Sequence, residues 1–166
     1  MQNQLNKMSL YLVYLAGILM SIVIATTVIN VTSFGLDKIM RLYGMNVGGL
    51  PGYEESVRLF ISCIALMFFP WAQIQKSHVS VDFFADKFSE KTQKTLVTFW
   101  LCVTFVLALF LIYMMILGAM ASYADGATSN VLEWVEWIFY IPGIISLCLW
   151  AVILAFQILH KEPAHG

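Results

Sequence analysis

The chain reads Glu54-Glu55-Ser56-Val57-Arg58, then seventeen uncharged residues from Leu59 to Gln75, then Lys76-Ser77-His78-Val79-Ser80-Val81-Asp82. An amphipathic run from Phe83 to Lys94 follows. Charge, apolar stretch and amphipathic stretch succeed one another at spacings that suit a lipid bilayer. Seventeen helical residues reach about 25 Å at about 1.5 Å each, slightly less than a hydrocarbon core of about 30 Å. The stretch crosses only if Arg58 and the flanking polar residues lie at the membrane edge.

Working outward, three longer uncharged runs cover Met8–Leu36, Thr95–Ala124 and Trp137–His160. Hydrophobic residues make up 60% of the 166 residues and charged ones only 11%, which places the chain outside the soluble range. The expected fold is therefore an all-α integral membrane protein. It has four transmembrane helices, short interfacial amphipathic helices and both termini in the cytoplasm. The spans fall at about 8–36, 55–75, 92–124 and 134–160 within a single domain, 1–166. The first run is too long for a secretion signal and lacks a cleavage pattern, so an uncleaved anchor is expected. Within it Gly17, Ser21 and Ala25 recur on one face, a pattern that permits close helix packing.

Between the first two spans, Leu36, Ile39, Met40 and Tyr43 suggest a short helix along the membrane surface, ended by Gly48-Gly49-Leu50-Pro51-Gly52. Pro70 and Pro142-Gly143 each predict a kink, since proline removes a backbone donor. Six lysines (Lys7, Lys76, Lys87, Lys91, Lys94 and Lys161) fall on one side of a four-span chain, against Lys38 and Arg41, with Arg58 at the edge. The positive-inside rule then puts the middle loop in the cytoplasm. Tyr11, Tyr14, Trp71 and Trp100 mark the inner boundary, and Tyr53, Tyr123, Trp134, Trp137 and Tyr140 the outer one.

No ionisable residue sits in the middle of a span, where a pump or a haem-binding bundle would need one. His78, His160 and His165 lie at the inner face or in the tail. Cys63, Cys102 and Cys148 stand far apart inside apolar runs, read as buried small hydrophobes. The sequence thus predicts no catalytic residue, no cofactor and no metal. The net charge of -1 gives no ground for nucleic-acid binding.

Glu54 and Glu55 stand four and three residues before Arg58, so either carboxylate can meet the guanidinium on one helix face. Such a group is either a snorkelling anchor or a contact with a partner protein. On the inner side, residues 80–88 predict a short interfacial helix. Val81, Phe84, Ala85 and Phe88 form its apolar face, and Asp82 and Asp86 line one edge. Ser89 is placed to cap the third span. His78 precedes this helix as a loop residue. Glu54, Glu55, Arg58, His78, Asp82, Phe84 and Phe88 are the candidate partner contacts.

These residues carry a resemblance. The acidic pair with Arg58, the string Lys76-x-His78-Val79-x-Val81-Asp82-Phe83-Phe84, and Tyr140-Ile141-Pro142-Gly143 resemble the small membrane subunit (DctQ-type small permease) of tripartite ATP-independent periplasmic (TRAP) transporters. Two departures stand out. Thr26 to Gly35 lacks the arginine common in the family near the outer end of the first span. Phe68-Phe69-Pro70-Trp71 stands where a glycine is common.

The resemblance implies a non-catalytic subunit of the bacterial inner membrane. It would scaffold a large multi-span membrane subunit, with lipid around it. A periplasmic substrate-binding protein would deliver an organic acid of the dicarboxylate or sialic acid type, and sodium would drive import. The alternatives from other classes are a membrane-anchor subunit of a respiratory enzyme complex and a free-standing tetraspan exchanger.

Overall fold

A computed structural model describes residues 2–45, 48–75 and 90–160. Helix α1 covers Gln2–Met40 and runs into a 3-10 turn, Arg41–Tyr43. α2 covers Tyr53–Met67 and α3 Phe69–Ile74. α4 covers Glu90–Ala124; a 3-10 turn, Glu136–Phe139, leads into α5, Tyr140–His160. Four stretches are long and apolar enough to cross a membrane: Gln2–Tyr43, Tyr53–Ile74, Thr92–Ala124 and Glu136–Leu159. The chain is a multi-pass, all-α membrane protein. The interfacial helix expected at 80–88, with His78, Asp82, Phe84, Phe88 and the Ser89 cap, lies outside the described residues.

The spans form a row. α1 packs along α2 and α3 and touches α5 near its own N-terminal end, α2 and α3 pack on α5, and α5 packs on α4. Ser9, Ala16, Val23, Asn30 and Asp37, each seven residues after the last, are the buried seam of α1. That repeat keeps one stripe of a helix facing its neighbour. Ala16 and Val23 meet Cys63, Ile64 and Met67 of α2, and Leu5 meets Leu149 and Ile153 of α5. Ala108 of α4 packs with Leu147, Trp150, Ala151 and Leu154. The stripe of Gly17, Ser21 and Ala25 is not this seam. Ser21 and Ala25 are exposed, and nothing lies within 4 Å of where a Gly17 side chain would begin.

Several hydroxyls inside α1 are satisfied by the helix itself, whereas the buried Ser9 hydroxyl meets no partner among the described residues. Ser21 donates to the Gly17 carbonyl at 2.9 Å, Thr26 to Ile22 at 3.0 Å and Thr32 to Val28 at 2.7 Å. In an apolar phase this local bonding spares each hydroxyl an unmet donor. The surface helix expected after Leu36 is instead the end of α1. Asp37 turns inward on the buried seam, and its carboxylate accepts from Arg41 Nε at 2.7 Å one turn later, which favours continued helix.

The second span is interrupted at Phe68, between α2 and α3, two residues before Pro70. Pro142 behaves differently from expectation. It falls in the first turn of α5, which then runs unbroken to His160. A proline there costs no interior hydrogen bond, so no mid-helix kink follows. Gly143 next to it allows close packing, since a Cβ would meet Leu66 Cδ1 at 2.9 Å and Met115 Cε at 3.0 Å. Cys63 is buried as expected, but Cys102 and Cys148 are exposed on the outward faces of α4 and α5.

Candidate functional site

At the end of the row where α2 begins, the charged residues are joined by long-range contacts. Gly52 starts α2 with a left-handed φ of 74°, and a Cβ there would lie 2.6 Å from Leu132 Cγ. Only glycine fits both demands. This brings the first turn of α2 under the connection from α4 to α5.

Glu55 makes the central contact. Its Oε1 accepts from the Asn130 N–H at 3.0 Å, and its Oε2 accepts from Val131 at 3.0 Å and Leu132 at 3.4 Å. Three successive amides converge on one carboxylate, the geometry of a backbone anion nest. The loop shapes itself around that point. Ser129 N–H donates to the Trp134 carbonyl at 2.9 Å, Trp134 N–H to Ser129 Oγ at 3.2 Å, and Glu136 N–H to the Ala127 carbonyl at 3.1 Å. Glu133 takes a left-handed φ of 54° while its N–H donates to the Ser129 carbonyl at 3.1 Å. That conformation costs a non-glycine residue about 1–2 kcal/mol, which the surrounding bonds offset.

Arg58 Nη2 reaches Glu136 Oε1 at 2.8 Å. The pairing expected along one face of α2 is therefore replaced: Glu55 is taken by the loop and Arg58 by Glu136, while Glu54 is exposed. The reason is reach. Loop amides and Glu136 approach from outside the helix and require no bending of either side chain around it. The Arg58 side chain is still 63% exposed. It stands with Glu136 at the rim of a cleft of about 330 Å3, lined further by Leu59, Leu66, Met115 and Tyr140. Below the loop, Phe60 meets Trp134 and Phe139 edge-on with centroids 6.1 and 5.6 Å away. Tyr123 meets Trp137 in the same manner at 5.6 Å. Trp134, Trp137 and Tyr123, all read as markers of one boundary, do share one end of the molecule.

Two further polar sites lie deeper and were missed because the sequence reading weighed only ionisable groups. Pro70 has no N–H to give the Leu66 carbonyl four residues earlier; Ser146 Oγ donates to it instead at 2.8 Å. Towards the other end, Trp150 Nε1 donates to Gln73 Oε1 at 3.2 Å, and Gln73 Nε2 donates to Gln157 Oε1 at 2.8 Å. This chain of bonds ties α3 to α5. Amides inside two apolar runs were the available signal, because each needs a partner in lipid. On α1, Asn30 is a third case: its buried Oδ1 accepts from the Leu50 N–H at 3.0 Å. Tyr53 OH donates to Thr27 Oγ1 at 3.2 Å beside it.

Among the described residues no three His, Cys, Asp or Glu side chains come together as a metal site. What the geometry offers is a braced framework. Its long-range polar contacts link one span to another or fix a loop.

No curated protein and no solved structure matches the chain. A family model does match, over residues 36–162: the DctQ component of tripartite ATP-independent periplasmic transporters. It is a family of transporter components rather than of enzymes. The match covers the second, third and fourth spans and the loops whose motifs carried the resemblance, and the chain belongs to the DctQ component family of TRAP transporters.

Proposed function

We propose that this chain is the small, non-catalytic membrane subunit of a sodium-driven TRAP transporter in a bacterial inner membrane. As a single four-span body with both termini in the cytoplasm, it braces a large multi-span subunit that carries the substrate. A soluble periplasmic protein delivers an organic acid of the dicarboxylate or sialic acid type.

The observation that supports a bracing role is the row itself. Its inner members, the second span and α5, are locked by Ser146, Gln73, Gln157 and Trp150, whereas its end members present broad apolar faces. A closed bundle would bury those faces against each other. An open row offers them to a larger protein and to lipid, and it has no ionised group in mid-span to carry a solute. Phe84 and Phe88, with His78 and Asp82, are the proposed contacts on the cytoplasmic side, and Glu54 is one on the other. Glu55 acts through the loop it holds, and Arg58 through Glu136. Family membership displaces the respiratory-anchor reading.

The test is reconstitution in liposomes of the large subunit and binding protein, with and without this chain. Sodium-gradient-driven uptake of a four-carbon dicarboxylate and of a sialic acid is measured. Uptake that requires this chain supports the proposal; equal uptake without it removes the bracing role. A haem spectrum in the pure protein would restore the respiratory alternative.

A further inference from the structure

Arg58, Leu59, Ser62 and Leu66 lie along one face of α2, at steps of one, three and four residues. They form one wall of the cleft of about 330 Å3, with Met115 of α4 opposite. α5 lies between the second span and α4, since both pack on it. The walls converge at its Gly143, where a Cβ would meet Leu66 Cδ1 at 2.9 Å and Met115 Cε at 3.0 Å. Tyr140 closes the flank by lying against Gly118 of α4, where a Cβ would stand 3.0 Å from its Cε1.

The cleft is charged at one end only. Arg58 and Glu136 form its mouth, 2.8 Å apart. Ser62 adds no unmet group, because its hydroxyl donates to the Arg58 carbonyl at 2.9 Å. Beyond it the walls are Leu66 and Met115, eight helical residues or about 12 Å from Arg58. A guanidinium has five N–H donors. Among the described residues Arg58 bonds only to Glu136, and its side chain is 63% exposed. Donors therefore remain for an anion at the mouth of an apolar slot.

Leu66 and Met115 stand well inside the membrane-crossing stretches Tyr53–Ile74 and Thr92–Ala124. An empty slot at that depth costs its walls their contact partners. A helix of another protein, about 10–12 Å across, does not enter a cleft that closes at Gly143. A small free anion would meet the mouth and leave the apolar part unfilled. A hydrocarbon chain attached to a phosphate matches both ends, and Arg is the side chain best suited to phosphate. Basic pockets between spans bind lipid headgroups in this manner.

We propose that this cleft is a binding site for one glycerophospholipid. Its phosphate accepts hydrogen bonds from Arg58, on the side of the guanidinium away from Glu136. One acyl chain runs past Leu59 and Ser62 to Leu66 and Met115. The site needs only the spans themselves, so it holds whatever the chain's partner is.

The test uses the purified full chain in phosphate-free detergent. A glycerophospholipid with a diazirine partway along one acyl chain is added and illuminated, and a diacylglycerol with the same chains serves as comparison. Adducts should concentrate on the peptides that contain Leu66 and Met115. The diacylglycerol should label them about tenfold less, the low end for hydrogen bonds to a charged group. Arg58→Gln should lower phospholipid labelling to the same degree, and Ser62→Trp, which fills the slot, should remove it. Excess inorganic phosphate should leave it intact. The diacylglycerol comparison uses the unaltered chain, so it stands even if Ser62→Trp fails to fold. Adducts spread evenly over the exposed faces of α1 and α4 would mean ordinary solvating lipid and overturn the site. Equal labelling by diacylglycerol, or wild-type labelling of Arg58→Gln, would show that no phosphate is read there. Displacement by inorganic phosphate would make it a small-anion site. Labelling that vanishes when a second membrane protein assembles with the chain would give the cleft to a protein segment instead.

Discussion

Ser146 Oγ stands 2.8 Å from the carbonyl of Leu66, the one acceptor in α2 that Pro70 leaves without its helical donor. A serine on α5 thereby repairs a defect that a proline makes in the neighbouring span, and the two helices are joined at the repair. Ser146 is fully buried and Leu66 packs in the core shared by α4 and α5, so no water is at hand to substitute.

Ser146→Ala should therefore destabilise the purified protein by about 0.6–2 kcal/mol, between the mean for membrane hydrogen bonds and the cost of an orphaned buried acceptor. Unfolding in mixed detergent measures it. Pro70→Ala restores the missing N–H, so in that background Ser146→Ala should cost clearly less. Equal costs in both backgrounds would show that the serine does not serve the Leu66 carbonyl.

Glu55→Ala should release the loop after α4 without disturbing the spans. Hydrogen exchange at the amides of Asn130, Val131 and Leu132 should accelerate, because all three lose their acceptor. Glu55→Gln should fall between the two, as one amide oxygen replaces two carboxylate oxygens. Glu54→Ala serves as the control and should leave these amides at wild-type rates.

Arg58→Ala should leave membrane insertion intact. The pair with Glu136 is largely exposed on the Arg58 side, and exposed pairs contribute only about 0–1 kcal/mol. The expected change is in coupled uptake, which should fall because the loop loses one of its polar ties to α2. Arg58→Lys should restore only part of it, since the planar guanidinium is gone. The exchange Arg58→Glu with Glu136→Arg should recover more uptake than either change alone; no recovery would mean that Arg58 acts on something other than Glu136.

The topology has its own check. A cysteine at Ser77 should be shielded from impermeant thiol reagents in whole cells, and one at Ala127 should label. The opposite pattern would place the Glu55 loop in the cytoplasm and reverse every assignment of side made above.

The number of spans and their class were legible in the sequence, because crossing hydrocarbon requires long apolar helices whatever their neighbours are. Family membership was legible too, in short motifs around Arg58, His78 and Tyr140. Tertiary structure alone decided where each polar group goes. Glu55 and Arg58 at helical spacing looked like each other's partners, yet Asn130–Leu132 and Glu136 lie 75 or more residues away and win by approaching from outside the helix. Pro142 looked like a kink until the 3-10 turn before it made it a first-turn residue. Leu36 to Tyr43 looked like a surface helix, but the buried Asp37 keeps it in line with α1. In each case local spacing lists the bonds a residue is able to make, and the packing of distant segments selects among them.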